Sequence, residues 1–418
     1  MLDQVRLAGY CVREEWISAV AVMLMNHLRS HTLPELVEKL SDDVKGKEES
    51  SFWLHIVDLA ISFDKKMHSL SSKSIGPLAS KVELDFFDED AAGLESVIKC
   101  VTVLGERKEW LDLWSQLELV DAQRKLNREL QEERAWSHYN PSDVVSSAVQ
   151  RTSFEQEDYR HPQGAEAIML RMWTLINRCR SLPREDWKLE FIRNVGSPFV
   201  KDFLGTLLQR CQEAEATTAL SEEGAVVKVV SCINASCYCE HKLLEWSEDV
   251  FFLDLRRLQI SLADNQCNSK ISGVKVLQSG ESLVSVQGCV FDEELSCLVQ
   301  FKNEWLQKVV SATIRAFDAC CQDYQRNKKR WQEYKHSLDI VDTTVSSSFI
   351  DALAMLQLRV RMLSSCLGGV IFVDFWRGLA LGLDQFFLNS VILGGARFSE
   401  LGSTQLACDI HALFQIFR

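Results

Sequence analysis

Proline is scarce. The chain has six prolines in 418 residues, the last at Pro198, so the 220 residues beyond it lack the one residue that removes a helical backbone donor. Glycine is sparse outside a few clusters, and long uninterrupted helices are the natural outcome. Strand signals are as few. Short alternations occur at Val274 and Val276 and at Leu283, Val284 and Val286, but the stretch is rich in Ser and Gly and reads as a long loop. Apolar runs of eighteen residues are missing, which excludes an ordinary membrane-spanning helix. The greasiest region, Val370 to Leu393, is interrupted by Asp374, Arg377, Asp384 and Gln385; Phe372, Trp376, Leu379, Leu383 and Phe386 occupy its other side, the layout of a core helix. Basic residues are in deficit, 46 against 59 acidic, and a net charge of -13 opposes general affinity for phosphate backbones or anionic lipid. Membrane association is therefore expected through protein partners. No basic region followed by an apolar core and a cleavage site opens the chain, so no secretory signal is visible.

Catalytic signatures are missing too. A serine or cysteine nucleophile needs a neighbouring base and oxyanion donors, usually at a strand-to-helix turn, and no such turn is found. The adjacent glycines Gly368-Gly369 and Gly394-Gly395 lie outside any phosphate-binding pattern and read as helix termini in left-handed geometry. Cys232, Cys237, Cys239 and His241 are the residue types of a zinc site, and a zinc-dependent enzyme rests on them alone. Their spacing argues against it: Cys237 and His241 share a helix face, whereas Cys239 points about 200° away from Cys237. The fourteen cysteines are scattered and read as reduced, mostly buried thiols of a cytosolic protein; no cofactor or metal is expected.

What the sequence does contain is helical periodicity. Helices are predicted near 4–29, 34–40, 50–69, 91–105 and 106–136, then 164–181, 184–194, 197–219 and 222–263, then 291–337, 344–366, 370–393 and 403–417. Asn140-Pro141-Ser142-Asp143 and the polar tract from Gln150 to Gly164 mark a boundary, giving helical bundles at 1–140, 141–264 and 291–418 with a loop at 265–290. The fold class is all-α, an elongated rod of consecutive helical bundles. The acidic stretch Glu83, Asp85, Asp88, Glu89 and Asp90 precedes a helix start and complements its dipole. Met1 opens straight into helical pattern, so the chain reads as beginning inside a longer protein.

One segment is basic. Tyr324, Arg326, Lys328, Lys329, Arg330, Trp331 and Lys335 interleave cations and aromatics, which fits a solvated helix face, an acidic protein partner or a nucleic acid, in falling order because the rest of the chain is acidic. Phe317, Cys320, Cys321, Tyr324, Trp331 and Leu338 would form the buried face of that helix. Arg326, Lys328, Lys329 and Arg330 are the candidate partner-binding residues.

The richest stretch runs from Asn234 to Leu255. Leu244, Phe251, Leu255, Leu258 and Leu262 form one apolar stripe, with Leu243, Trp246, Val250 and Leu253 beside it, so Trp246 and Phe251 are expected in the core. Its string Glu245-Trp246-Ser247-Glu248-Asp249-Val250-Phe251-Phe252 resembles the RINT/Tip family of vesicle-tethering subunits, MAIGO-like in plants. Phe52-Trp53 with His55-Ile56-Val57-Asp58, Ser62-Phe63-Asp64-Lys65, the tryptophans 110, 114 and 136, and Phe398-Ser399, Gly402, Gln405-Leu406, Asp409 and Leu413-Phe414 follow in the same order as in that family. The resemblance implies rods of helical bundles similar to CATCHR-type tethering-complex subunits. It also implies a noncatalytic role in an endoplasmic-reticulum tethering assembly for Golgi-to-ER retrograde transport, with ER SNARE proteins and other tethering-complex subunits as partners and a cytoplasmic, peripheral location at the ER membrane. The alternative from another class is a nuclear or nucleic-acid-associated helical adaptor, motivated by the basic segment.

Overall fold

A computed structural model describes residues 12–41, 46–72, 99–138, 159–270, 288–326, 328–332, 344–394 and 397–417. The fold is all-α. In chain order the helices are α1 (Val12–His27), α2 (Leu33–Ser41), α3 (Gly46–Ser72), α4 (Thr102–Glu106), α5 (Lys108–Leu130), α6 (Gln163–Cys179), α7 (Glu185–Phe191), α8 (Ser197–Thr218), α9 (Glu223–Ser247), α10 (Val250–Lys270), α11 (Asp292–Cys320), α12 (Gln322–Arg326), α13 (Ser347–Cys366), α14 (Gly369–Phe386) and α15 (Glu400–Ile416). Wider turns continue α1 through Leu28–Thr32, α7 through Ile192–Gly196 and α14 through Phe387–Ile392. Among the described residues the extended pairing is a lone antiparallel bridge between His138 and Pro162. The acidic stretch 83–90 lies outside the described residues, as do 4–11, most of 91–105 and residues 271–287 of the loop expected at 265–290, whereas residues 265–270 of that expected loop continue helix α10 to Lys270.

Two expected helices are divided. The one at 222–263 stops at Ser247 and restarts at Val250, because Asp249 acts as a cap: its carboxylate accepts the Phe251 N–H at 2.9 Å. The break resets the helical phase. Leu243, Phe252 and Leu255 are buried, whereas Leu244, Val250 and Leu262 are exposed and Trp246 and Phe251 are half-buried. The core aromatic of the string is therefore Phe252, not Phe251 or Trp246. The helix expected at 291–337 ends at Cys320; of its expected buried face Phe317, Cys321, Tyr324 and Trp331 are buried, Cys320 is half-buried and Leu338 lies outside the described residues.

The chain forms two compact units, each drawn from three stretches. The first comprises Met1–Lys125, Leu170–Val200 and Ser247–Val290. Its core holds Ile17 and Ala21 of α1, Trp53 and Val57 of α3, and Trp114 of α5, whose ring lies 4.8 Å from that of Phe191. Phe252 and Leu255 are buried on α10, which packs on α7. Asp64 caps α4, accepting the N–H groups of Cys100 at 2.8 Å and Val101 at 3.0 Å, two donors that a helix start leaves without an internal acceptor.

The second unit comprises Leu126–Met169, Lys201–Trp246 and Phe291–Arg418. Its axis is α11, whose buried row Leu298, Trp305, Val309, Val310 and Phe317 receives α13 and α14. Helix α14 comes in close because Gly382 lies where a Cβ would collide with Ile314. That approach sets its inner row as Ile371, Phe375, Leu379, Leu383 and Phe386, leaving Phe372 half-buried and Trp376 exposed. Gly368 does begin α14, but with extended backbone at φ -59° and ψ 149° rather than left-handed geometry.

Candidate functional site

In the second unit, the segment after α11 turns twice before the described residues pause at 332. Tyr324 and Trp331 are both buried, with rings 5.3 Å apart edge to face, and the basic residues lie between these two anchors. Arg326 and Lys329 are exposed on α12 and on the short Lys328–Gln332 turn; the side chains of Lys328 and Arg330 lie outside the described residues. The backbone of Trp331 is itself held: its carbonyl accepts the Ser399 N–H at 2.7 Å, and Gly402 sits so close that any Cβ there would strike it.

Beneath this turn is a wholly buried carboxylate, Asp409 of α15. It accepts the Tyr324 hydroxyl at 3.0 Å, the Ser346 N–H at 2.8 Å, the Ser346 hydroxyl at 2.6 Å and the Gln405 amide at 3.2 Å. Such a group is costly to bury unless its lone pairs are filled, and here they are filled by neutral donors from three parts of the chain. Asp409, Gln405, Gly402 and Phe398-Ser399 are among the residues that carried the C-terminal part of the family resemblance, and each has a structural role around this turn; of the others Leu413 is buried and Phe414 is exposed.

A second polar centre of this unit was not foreseen. Asn234, buried in the middle of α9, donates to the carbonyls of Arg160 at 3.0 Å and Cys366 at 2.8 Å and accepts the Gly368 N–H at 3.2 Å. The available signal was an amide between the apolar residues Ile233 and Ala235. The neighbouring Cys232, Cys237 and Cys239 are buried, and burial raises the Cys239 pKa. His241 is exposed, its ring 4.9 Å from that of Tyr159. Among the described residues no group of three or more His, Cys, Asp or Glu side chains is placed to hold a metal.

The first unit contains a polar cleft of about 360 Å³ between α3, α5 and α6. Glu118 forms its buried edge. It accepts the Trp114 indole N–H at 2.8 Å and pairs with Arg178, whose other nitrogen reaches Asp58 at 2.5 Å. Burial outweighs these partners and holds the Glu118 carboxyl above its ordinary value. Asp58 belongs to the histidine-to-aspartate segment of the resemblance, so that match also marks packing. The one guanidinium bridges carboxylates from α3 and α5, an arrangement suited to joining helices. Among the described residues no helix is long and apolar enough to cross a membrane.

With this geometry in hand, the comparisons with known proteins are specific. The profile of the RINT-1/TIP-1 family matches residues 12–418. RINT1-like protein MAG2 of Arabidopsis thaliana is 33% identical over 422 aligned positions, covering 100% of this chain and 49% of that protein. Among solved structures, the crystal structure of the SNARE Sec20 bound to the Dsl1 complex subunit Tip20 contains a similar fold, with a TM-score of 0.56 and 13% identity over 96% of this chain and 56% of that one. The chain thus spans about half the length of these relatives.

Proposed function

From the premise that this chain belongs to the RINT-1/TIP-1 family, we propose that it is a noncatalytic part of a vesicle-tethering subunit that binds SNARE proteins and other tether subunits. The observation that carries this reading is the family match along nearly the whole chain. It is supported by the similar fold of Tip20, a Dsl1 complex subunit that is bound to the SNARE Sec20 in its solved structure. The polar centres around Asp409, Asn234 and Glu118 are consistent with a scaffold: their donors and acceptors are spent on holding helices in place.

The finer reading is that the subunit acts in Golgi-to-ER retrograde transport, peripheral at the ER membrane and attached through its partners. Within that reading, Arg326, Lys328, Lys329 and Arg330 form a contact for an acidic stretch of a partner. Clustered cations on an acidic chain steer an acidic surface to one place and fix its register.

Capture of individual cytosolic domains of ER SNAREs by the purified chain tests the proposal, with proximity labelling in cells as its counterpart. Binding of at least one such domain, and ER SNAREs and tether subunits among the labelled neighbours, are expected. Chromatin proteins alone among the neighbours would overturn the assignment. Reversal of the four basic residues to Glu is expected to weaken capture and its salt dependence while leaving the helical signal intact; unchanged capture removes the basic contact and leaves the tethering role standing.

A further inference from the structure

The short turn Lys328–Gln332 lies against the start of α15. The Ser399 N–H donates to the Trp331 carbonyl at 2.7 Å, the Phe398 and Trp331 rings are 5.6 Å apart, and Gly402 faces the Trp331 backbone. Arg397 is exposed and stands two residues before Ser399, as Lys329 stands two before Trp331. A cation far along the chain is thus carried to the edge of the basic segment, and no local pattern announces it. The acids nearest in the chain, Asp323 before Arg326 and Glu400 after Arg397, are exposed as well, two carboxylates against Arg326, Lys328, Lys329, Arg330 and Arg397. The balance at the junction is basic on a chain that is acidic overall.

We propose that the start of α15 is the second half of the basic contact: Arg397 joins Arg326 and Lys329 in holding one carboxylate-rich segment of a protein partner across both elements, and Gly402 is the positioning residue that keeps the two halves in register. This rests on the basic contact proposed above. Cations spread over two elements suit a chain that offers several carboxylates in succession better than a single small anion, and opposite charges fix where the incoming segment stops. A nucleic acid carries a charge at every phosphate and meets a chain of net charge -13, whereas a protein segment with a few acids presents its charge only at the patch. The register depends on Gly402. A Cβ there would lie 2.8 Å from the Trp331 carbonyl carbon and 2.9 Å from its Cα, so any side chain must part the turn from α15. Those are backbone atoms and cannot swing aside as the end of a side chain can. The Gly402 N–H donates to the Ser399 hydroxyl at 3.1 Å, the cap of α15, so the helix start is held where it is.

Fluorescence anisotropy of a labelled peptide of alternating glutamate and glycine, titrated with the purified chain at low salt, tests this proposal. The wild-type chain is expected to bind it. Arg397→Ala is expected to weaken binding about three- to tenfold and Arg397→Lys by less than about twofold, with circular dichroism and Tm unchanged at this exposed position. Gly402→Ala is expected to weaken binding at least about fivefold, although alanine is the better helix former. Phe398→Leu, which loosens the same junction without forcing it apart, is expected to weaken it about two- to threefold. Because Gly402 acts through the placement of the cations, Gly402→Ala and Arg397→Ala together are expected to cost less than the product of their separate effects. Unchanged binding in Arg397→Ala, a combined loss equal to that product, or displacement of the peptide by a single-stranded oligonucleotide at lower concentration overturns the proposal. A wild-type chain that ignores the peptide overturns the basic contact itself and this inference with it, whereas binding that is lost in Arg326→Ala and kept in Arg397→Ala overturns this inference alone.

Discussion

Two buried carboxylates show different ways of placing charge inside a helical protein. Asp409 in the second unit is wholly enclosed and is satisfied by hydroxyl and amide donors, with no cation in contact with it among the described residues. Glu118 in the first unit lies at the edge of a cleft, beside Arg178, and burial keeps its carboxyl above its ordinary value. The first arrangement depends on the position of neutral dipoles and therefore on backbone register; the second depends on a charge at the end of a long side chain, which can follow small shifts of the backbone. Asp409 ought to be the more brittle of the two.

The largest expected effect is from Asp409→Ala, which strands the Tyr324 and Ser346 donors in a buried site. A loss of about 3–5 kcal/mol in chemical denaturation is expected, in line with uncompensated buried polar groups; a loss under about 1 kcal/mol would mean that water replaces the carboxylate and that the site is not brittle. Arg178→Ala comes next. It leaves Glu118 without its cation, but the cleft admits solvent, so a cost of about 1–3 kcal/mol is expected, smaller than for Asp409. Equal losses for the two variants would erase the distinction.

The pH dependence sharpens the comparison further. Because the folded pKa of Glu118 is raised, the folded state takes up a proton before the unfolded state as the pH falls. Its contribution to stability is complete below the unfolded value and is lost as the pH rises through the folded one. Glu118→Gln cannot titrate, so its Tm relative to wild type is expected to be highest near neutrality and to fall as the pH is lowered into the acid range. A gap that stays constant with pH would show that Arg178 compensates for burial.

The smallest effect is on reactivity alone. Burial, together with the nearby Asp64 carboxylate, pushes the Cys100 thiol up to about 12, and burial likewise pushes Cys321 up to about 12. Alkylation of the native chain at mildly basic pH, followed by peptide mass spectrometry, is expected to modify the half-exposed Cys297 and Cys408 and to spare Cys100 and Cys321 until unfolding. Early modification of Cys100 would place it in an opening segment.

Much of the helical fold could be read in the sequence because proline scarcity and long apolar periods act locally. The breaks could not. Asp249 interrupts a pattern that is continuous in its apolar residues, since one capping carboxylate outweighs periodicity at a helix start. That single break moved the core position of the aromatic string from Phe251 to Phe252. Tyr324 and Trp331 were rightly placed in the core although the expected long helix is divided between them, because both rings reach the same buried pocket near Asp409. Asp409 and Asn234 were illegible as centres: their importance lies in donors and acceptors many residues away, which no local pattern encodes. The basic cluster was visible as charge between two rings expected in the core, and the division of the helix that carries them was not.

Asn234 has a consequence for how the second unit can be made. Its side chain joins backbone groups 74, 132 and 134 residues distant, at Arg160, Cys366 and Gly368. Helical proteins usually fold quickly because most contacts are local, and this amide makes the α13–α14 corner depend on contacts of very high sequence separation. A fragment starting at Phe291 would keep the corner's sequence while leaving the Gly368 N–H without its side-chain acceptor. During synthesis on the ribosome, α9 emerges long before that corner and must wait for it, so the last helices complete the unit rather than add to a finished one.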